Sequence, residues 1–170
     1  MKAITTIIVH CSDLPYGTAE GIRRYHVDTL GWSDIGYHLV VENGRASSDA
    51  PYNCDQDGAI ERGRDLDGDG DILEETGAHA LGYNEDSLGL CLIGRKGTFT
   101  TRQMHNVIGY IAGLCHRLRL PASAVLGHYE TEHEQAKPER HPDPRKRRKT
   151  CPDLDMASFR HAVQDALHVI

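Results

Sequence analysis

Ile4-Thr5-Thr6-Ile7-Ile8-Val9-His10 is the stretch on which the fold turns. Ile4–Val9 carries no charge and is rich in β-branched side chains, so it reads as a buried strand. His10 falls at its end. Outward from it, Thr18 to Leu30 reads as a helix, capped by Thr18, with Ile22, Tyr25, His26 and Leu30 near one face and Gly31 as its stop. Tyr37 to Glu42 reads as a second strand, with a turn signal at Asn43-Gly44. A weaker strand falls around Ala59–Arg62, and Ser87 to Ile93 is a third clear one.

The helical period is plainest over Thr100 to Leu118. Thr100 and Gln103 have capping-box spacing, and Met104, Val107, Ile108, Ile111, Leu114, Cys115 and Leu118 recur on one side. A short strand at Ala124–Leu126 leads into Gly127-His128. A last helix opens at Asp155 and carries Phe159, Ala162, Val163, Ala166 and Leu167 on one face. Strands alternating with helices predict an α/β domain: a central mixed β-sheet flanked by helices.

The chain has 170 residues, 39% hydrophobic and 26% charged, which suits one soluble domain spanning 1–170. A formal net charge of −6 argues against a general nucleic-acid binder. No stretch is long enough to span a membrane. The apolar run at Ile4–Val9 is too short for a signal-peptide core and no cleavage site follows, so the expectation is a chain made in the cytoplasm without a Sec route. Five cysteines at irregular spacing (Cys11, Cys54, Cys91, Cys115 and Cys151) are not a disulfide framework. Cys91 and Cys115 lie in apolar stretches and are expected to be buried thiols.

Three residues at element ends attract notice: His10, His128 and Cys151, the last preceding Pro152. Two imidazoles and a thiolate suit Zn²⁺, with a fourth tetrahedral position left open. On composition alone this is weak, because the chain has eleven histidines.

Six ordered segments strengthen it: Ile8-Val9-His10-Cys11-Ser12, Gly31-Trp32-Ser33-Asp34-Ile35-Gly36-Tyr37-His38, Gly77-Ala78-His79-Ala80-Leu81-Gly82-Tyr83-Asn84, Ser87-Leu88-Gly89-Leu90-Cys91-Leu92, Gly127-His128-Tyr129-Glu130 and Lys149-Thr150-Cys151-Pro152. Together they resemble the N-acetylmuramoyl-L-alanine amidases, the family of the phage amidase lysozymes and the peptidoglycan recognition proteins. The likeness runs from about residue 4 to the final helix. It implies an amidase-type single domain in which His10, His128 and Cys151 bind zinc, while Tyr37 and Lys149 mark the catalytic members. The implied activity is hydrolysis of the amide between the lactyl group of N-acetylmuramic acid and L-alanine in peptidoglycan. The implied setting is a phage endolysin, monomeric, without stable membrane insertion, acting on the wall after release from the host cytoplasm.

In that reading Lys149 supplies positive charge to the tetrahedral oxyanion, and Tyr37 positions water or donates a hydrogen bond. His79 and Asn84 are expected at the substrate groove, with a structural role for His79 weighed evenly against it. His38, beside Tyr37, is expected to point to the opposite face of its strand and stays out of the site.

Two inserts, about 47–76 and 130–150, depart from the family pattern. In the first, Asp65, Asp67 and Asp69, then Gly70, Asp71 and Ile72, resemble the start of an EF-hand Ca²⁺ loop. The twelfth position is Thr76, so Glu74 or Glu75 would have to substitute. A calcium loop and a solvated acidic turn are equally open. The second insert carries His133, His141 and the basic run Arg145–Lys149, either a contact for anionic envelope surface or a solvated loop. A binding module that recognises peptidoglycan without cutting it is the main rival; Cys151 with Tyr37 and Lys149 argues against it. A regulatory protein partner has no specific support in the residues.

Overall fold

The computed structural model describes residues 3–137, 139, 142–143 and 147–170. His141, Arg145 and Lys146 of the second insert lie outside the described residues. Five strands, β1 (Thr6–Cys11), β2 (Leu39–Asn43), β3 (Asp57–Arg62), β4 (Ser87–Leu92) and β5 (Val125–Gly127), form one sheet in the order β3-β2-β4-β1-β5. β1 runs parallel to β4 and β5, β2 runs parallel to β4, and only the β2–β3 pair is antiparallel. The sheet is therefore mixed, as expected, with helices on both faces.

One core lies where Ile7, Val9, Leu39, Val41, Leu88, Leu90 and Leu92 meet two helices, α2 (Thr101–Leu118) and α4 (Met156–Leu167). α2 buries Val107, Ile111, Leu114 and Cys115, the side the period predicts. Its capping box is formed: the Thr100 side chain accepts from Gln103 N–H, and the Gln103 side chain reaches back to Thr100 N–H. Gln103 also donates through Nε2 to the carbonyls of Val41 and Ile93, both at 2.9 Å, so the helix start is fastened to two strands. Asp155 caps α4 by accepting from Ala157 N–H at 3.1 Å. A smaller cluster of Ala19, Ile35, Val40 and Ile93 seats α1 (Ala19–Arg24).

The first helix has the expected bounds, Thr18 as its N-cap and Leu30 at its end, but not the expected winding. Regular α-helix stops at Arg24, and Tyr25–Thr29 continues as a π-helical turn in which Leu30 N–H reaches back to the Tyr25 carbonyl. The wider turn rotates the apolar face. His26 is buried while Tyr25 and Leu30 are exposed. The chain turns at Asn43-Gly44, as expected. Gly44 has φ +75 and its carbonyl accepts from Asn53, so β2 and β3 are joined by a loop and not a two-residue turn.

Cys91 and Cys115 are buried free thiols, as expected. Among the described residues no helix is long and apolar enough to cross a membrane. A four-residue helix, α3 (Glu132–Gln135), opens the second insert. Arg147 and Arg148 of the basic run bond to carbonyls within that insert, those of Pro142 and Gln135.

Candidate metal centre and active site

Parallel pairing brings the two histidines together. Val9 of β1 lies opposite Gly127 of β5, so the next residues, His10 and His128, emerge side by side at the carboxyl edge of the sheet. Their ring centroids are 4.5 Å apart. Cys151 arrives from the far side of the second insert and is held at both neighbours. Its carbonyl accepts from Tyr129 N–H at 3.0 Å, and its Sγ lies 3.2 Å from the N–H of Cys11. Gly127 leaves room for this approach: a Cβ there would stand 3.0 Å from Pro152 and 2.9 Å from Met156.

The outcome is a cluster in which one donor atom each from His10, His128 and Cys151 lies within 4.8 Å of the others. Burial, with the His79 and His128 imidazoles and the Lys149 ammonium nearby, holds His10 well below the ordinary imidazole range. Burial and the Lys149 ammonium bring His128 down to about 4. Both imidazoles are therefore neutral at pH 7 and carry a free lone pair. Contact with the Cys11 thiol and burial push the Cys151 thiol well above its usual range, so without a cation it keeps its proton. A soft-plus-borderline donor set of two imidazoles and a thiol, backed by a backbone N–H toward sulfur, fits a zinc-type ion. Binding must displace the thiol proton, so affinity rises with pH.

Tyr37 precedes β2 and is not part of it. Its ring centroid is 5.0 Å from that of His10, and Tyr37 also lines a groove of about 610 Å³ with Cys11, Ile22, His26 and Ile93. Burial and the thiols of Cys91, Cys151 and Cys11 keep its hydroxyl protonated, a hydrogen-bond donor. Lys149 is exposed, yet its charge acts on both His10 and His128. Its N–H donates to the buried Glu134 carboxylate at 3.1 Å. That carboxylate also accepts from Lys137 at 2.6 Å and faces His128 Nε2 at 3.8 Å. Glu134 escaped the sequence reading, because nothing in a charged insert marks one glutamate as buried. Glu130 holds the His128 turn to α4 by a two-pronged pair with Arg160, at 2.7 and 3.0 Å.

His79 meets the centre directly: its Nδ1 is 3.1 Å from His10 Nε2. Burial, with the neighbouring His38 and His128, lowers it to about 3. Asn84 acts through its Oδ1, which accepts from the N–H groups of His79 and Ala80 at 2.8 and 2.9 Å and so fixes the loop that carries His79. His38 is fully buried and bonded at both ring nitrogens, accepting from Gly89 N–H at Nδ1 and donating from Nε2 to the Glu75 carbonyl. It stays outside the donor cluster, as expected.

Away from this centre, the carboxylates of Asp65, Asp67 and Asp69 also gather within 4.8 Å of one another. Asp71 turns aside and accepts from Leu73 N–H. Glu75 folds back over the loop and accepts from Leu66 N–H at 2.8 Å.

The family model described as N-acetylmuramoyl-L-alanine amidase matches residues 1–153. The endolysin of Enterobacteria phage K11 is 33% identical over 135 residues, covering 72% of each chain. The endolysin of Escherichia phage T7 is 31% identical over 165 residues, covering 91% of this chain and 84% of its own. Among solved structures, the N-acetylmuramoyl-L-alanine amidase LysC from Clostridium intestinale aligns with a TM-score of 0.64 at 20% identity, over 94% of this chain and 85% of its own. Drosophila PGRP-LB aligns at 0.63 and 23% identity, over 94% and 81%. These two likenesses concern the fold.

Proposed function

The chain belongs to the N-acetylmuramoyl-L-alanine amidase family, and from that premise we propose that it is a zinc-dependent endolysin that cuts the lactyl–L-alanine amide of peptidoglycan. The observation that carries this is the meeting of His10, His128 and Cys151 at the carboxyl edge of the sheet. Bound there, a zinc ion supplies Lewis-acid polarisation of the amide carbonyl and lowers the pKa of water to about 7.

The chain's own groups do the rest. His10, His128 and Cys151 are neutral and need lose only the thiol proton to bind. As the amide carbon becomes tetrahedral, negative charge grows on its oxygen. Lys149 places an ammonium in the field of the two histidines, where it offsets that charge. The Tyr37 hydroxyl, held protonated, donates a hydrogen bond to the same oxygen or orients the attacking water. The groove beside Tyr37 is the natural seat for the peptide stem.

We infer further that the enzyme is a monomer of one domain with two inserts, made in the host cytoplasm and active on the wall after release. His79 and Asn84 belong to the substrate side of the site in this reading, Asn84 through the loop it fixes. The aspartate triad Asp65, Asp67 and Asp69 is a hard, all-oxygen set suited to Ca²⁺, which would brace the loop and take no part in the chemistry.

Digestion of purified peptidoglycan with mass spectrometry of the new ends tests the reaction. Free L-alanine amino termini on intact glycan strands are expected. New reducing sugar ends would identify a glycosidase and overturn the reading. Loss of activity with a chelator and its return with zinc test the ion.

A further inference from the structure

The loop Gly77–Asn84 does more than border the site: it carries a hydrogen-bond chain whose direction can be read from its far end. A carbonyl can only accept. The Ser87 hydroxyl gives its single proton to the Tyr83 carbonyl at 2.6 Å. Toward His79 Nε2, 3.4 Å away, the same oxygen can then only accept, so the proton between them sits on Nε2. A neutral imidazole has one N–H, which leaves His79 Nδ1 bare. That bare nitrogen lies 3.1 Å from His10 Nε2, so His10 must donate there. The His10 proton is thereby fixed on Nε2 and its free lone pair on Nδ1.

We propose that His79 is a positioning residue for the metal centre: with Ser87 and the Tyr83 carbonyl behind it, it fixes His10 in the tautomer that presents Nδ1 to the ion. The proposal rests on the zinc reading above for its consequence, but not for its geometry.

The surroundings suit this role. Two backbone N–H groups held by Asn84 Oδ1 fix the loop at His79 and Ala80. The ring lies against two glycines: a Cβ on Gly77 would stand 2.5 Å from its Cδ2, and one on Gly89 would stand 2.7 Å from Nδ1. Partners that orient a ligating histidine typically change metal affinity or activity by about 10–100-fold when removed.

The test needs two measurements. The first is nitrogen-15 NMR of the imidazoles in the metal-free wild-type protein at pH 7. His10 is expected with its proton on Nε2; a proton on Nδ1 overturns the proposal, whatever the protein does with zinc. The second is zinc affinity by chelator competition for wild type, His79→Ala and His79→Asn, each checked for folding by circular dichroism. His79→Ala is expected to bind about 10–100-fold more weakly. His79→Asn, whose amide oxygen can take the place of Nδ1 as acceptor, is expected to recover most of the loss. Equal affinity in wild type and His79→Ala overturns the proposal. Wild-type protein with the expected tautomer but no zinc affinity would leave the hydrogen-bond chain standing and sink the zinc reading instead.

Discussion

Gly89→Ala is a one-carbon perturbation with a calculable target. Gly89 lies in β4 with an ordinary backbone conformation, so alanine is permitted there by φ and ψ and only space opposes it. The added Cβ would stand 2.7 Å from His79 Nδ1 and closer still to Cγ and Cδ2. Ordinary contact begins near 3.4 Å, so the ring must move by close to an ångström. It has no room to retreat across Gly77, where a Cβ would itself stand 2.5 Å from the ring. Overpacking of this kind costs about 1–3 kcal/mol. In a chain of this length each kcal/mol lowers Tm by about 2–4 °C. The expected fall is therefore roughly 2–12 °C. Displacing the ring also breaks its bond to His10, so zinc affinity should drop by about 10-fold or more. Differential scanning calorimetry of the metal-free protein reads the first effect and chelator competition the second. A Gly89→Ala variant with wild-type Tm and wild-type zinc affinity would refute the packing argument and the assigned position of the ring together.

Tyr37→Phe should lower kcat on peptidoglycan on the order of 10²-fold with little change in KM, since only a transition-state donor is removed. Equal loss in binding would move Tyr37 out of that role. Cys151→Ala should lose bound metal and activity together, read by elemental analysis and turbidity assay; an active variant would remove Cys151 from the centre. The metal-free protein should weaken as acid is added, and the sign follows from His38. Its folded pKa is lowered by burial, so below about pH 6.5 the unfolded chain takes a proton that the folded chain refuses. Its stability contribution is full above that pH and falls by about 1.4 kcal/mol per pH unit below it, until the folded pKa is reached. His10, His79 and His128 act in the same sense. Urea midpoints at pH 7.5, 6.5 and 5.5 should therefore decline; constant midpoints would show that these buried imidazoles are not held neutral.

The sheet and its principal helices were legible because their signals are local. α2 could be read to its caps, since Thr100, Gln103 and the apolar period all lie within one segment. α4 was equally plain from Asp155 and the spacing of Phe159 and Val163. The first helix keeps the bounds that Thr18 and Leu30 predict, but its buried face beyond Arg24 does not follow the period, because a π-helical turn leaves no compositional mark and is settled by what His26 packs against. His26 Nδ1 accepts from Gly36 N–H at 3.0 Å, a contact across ten residues that no period contains. The three donors were picked out by ordered motifs, while their meeting depends on the register that sets Val9 against Gly127. What lies behind them was harder to see. The link from His79 to His10 spans 69 positions, and the burial of Glu134 depends on how an insert folds back.

Cys151 reaches the centre only after the chain has left it at His128 and wandered through a long excursion. That excursion is pinched shut at its neck, where Tyr129 N–H meets the Cys151 carbonyl. A loop tied off at its base passes little of its own strain to the two donors. What it owes the centre is Glu134, which faces His128 and takes the Lys149 N–H. New targeting sequence grafted between the second and third donors would therefore have to keep that glutamate and its two partners.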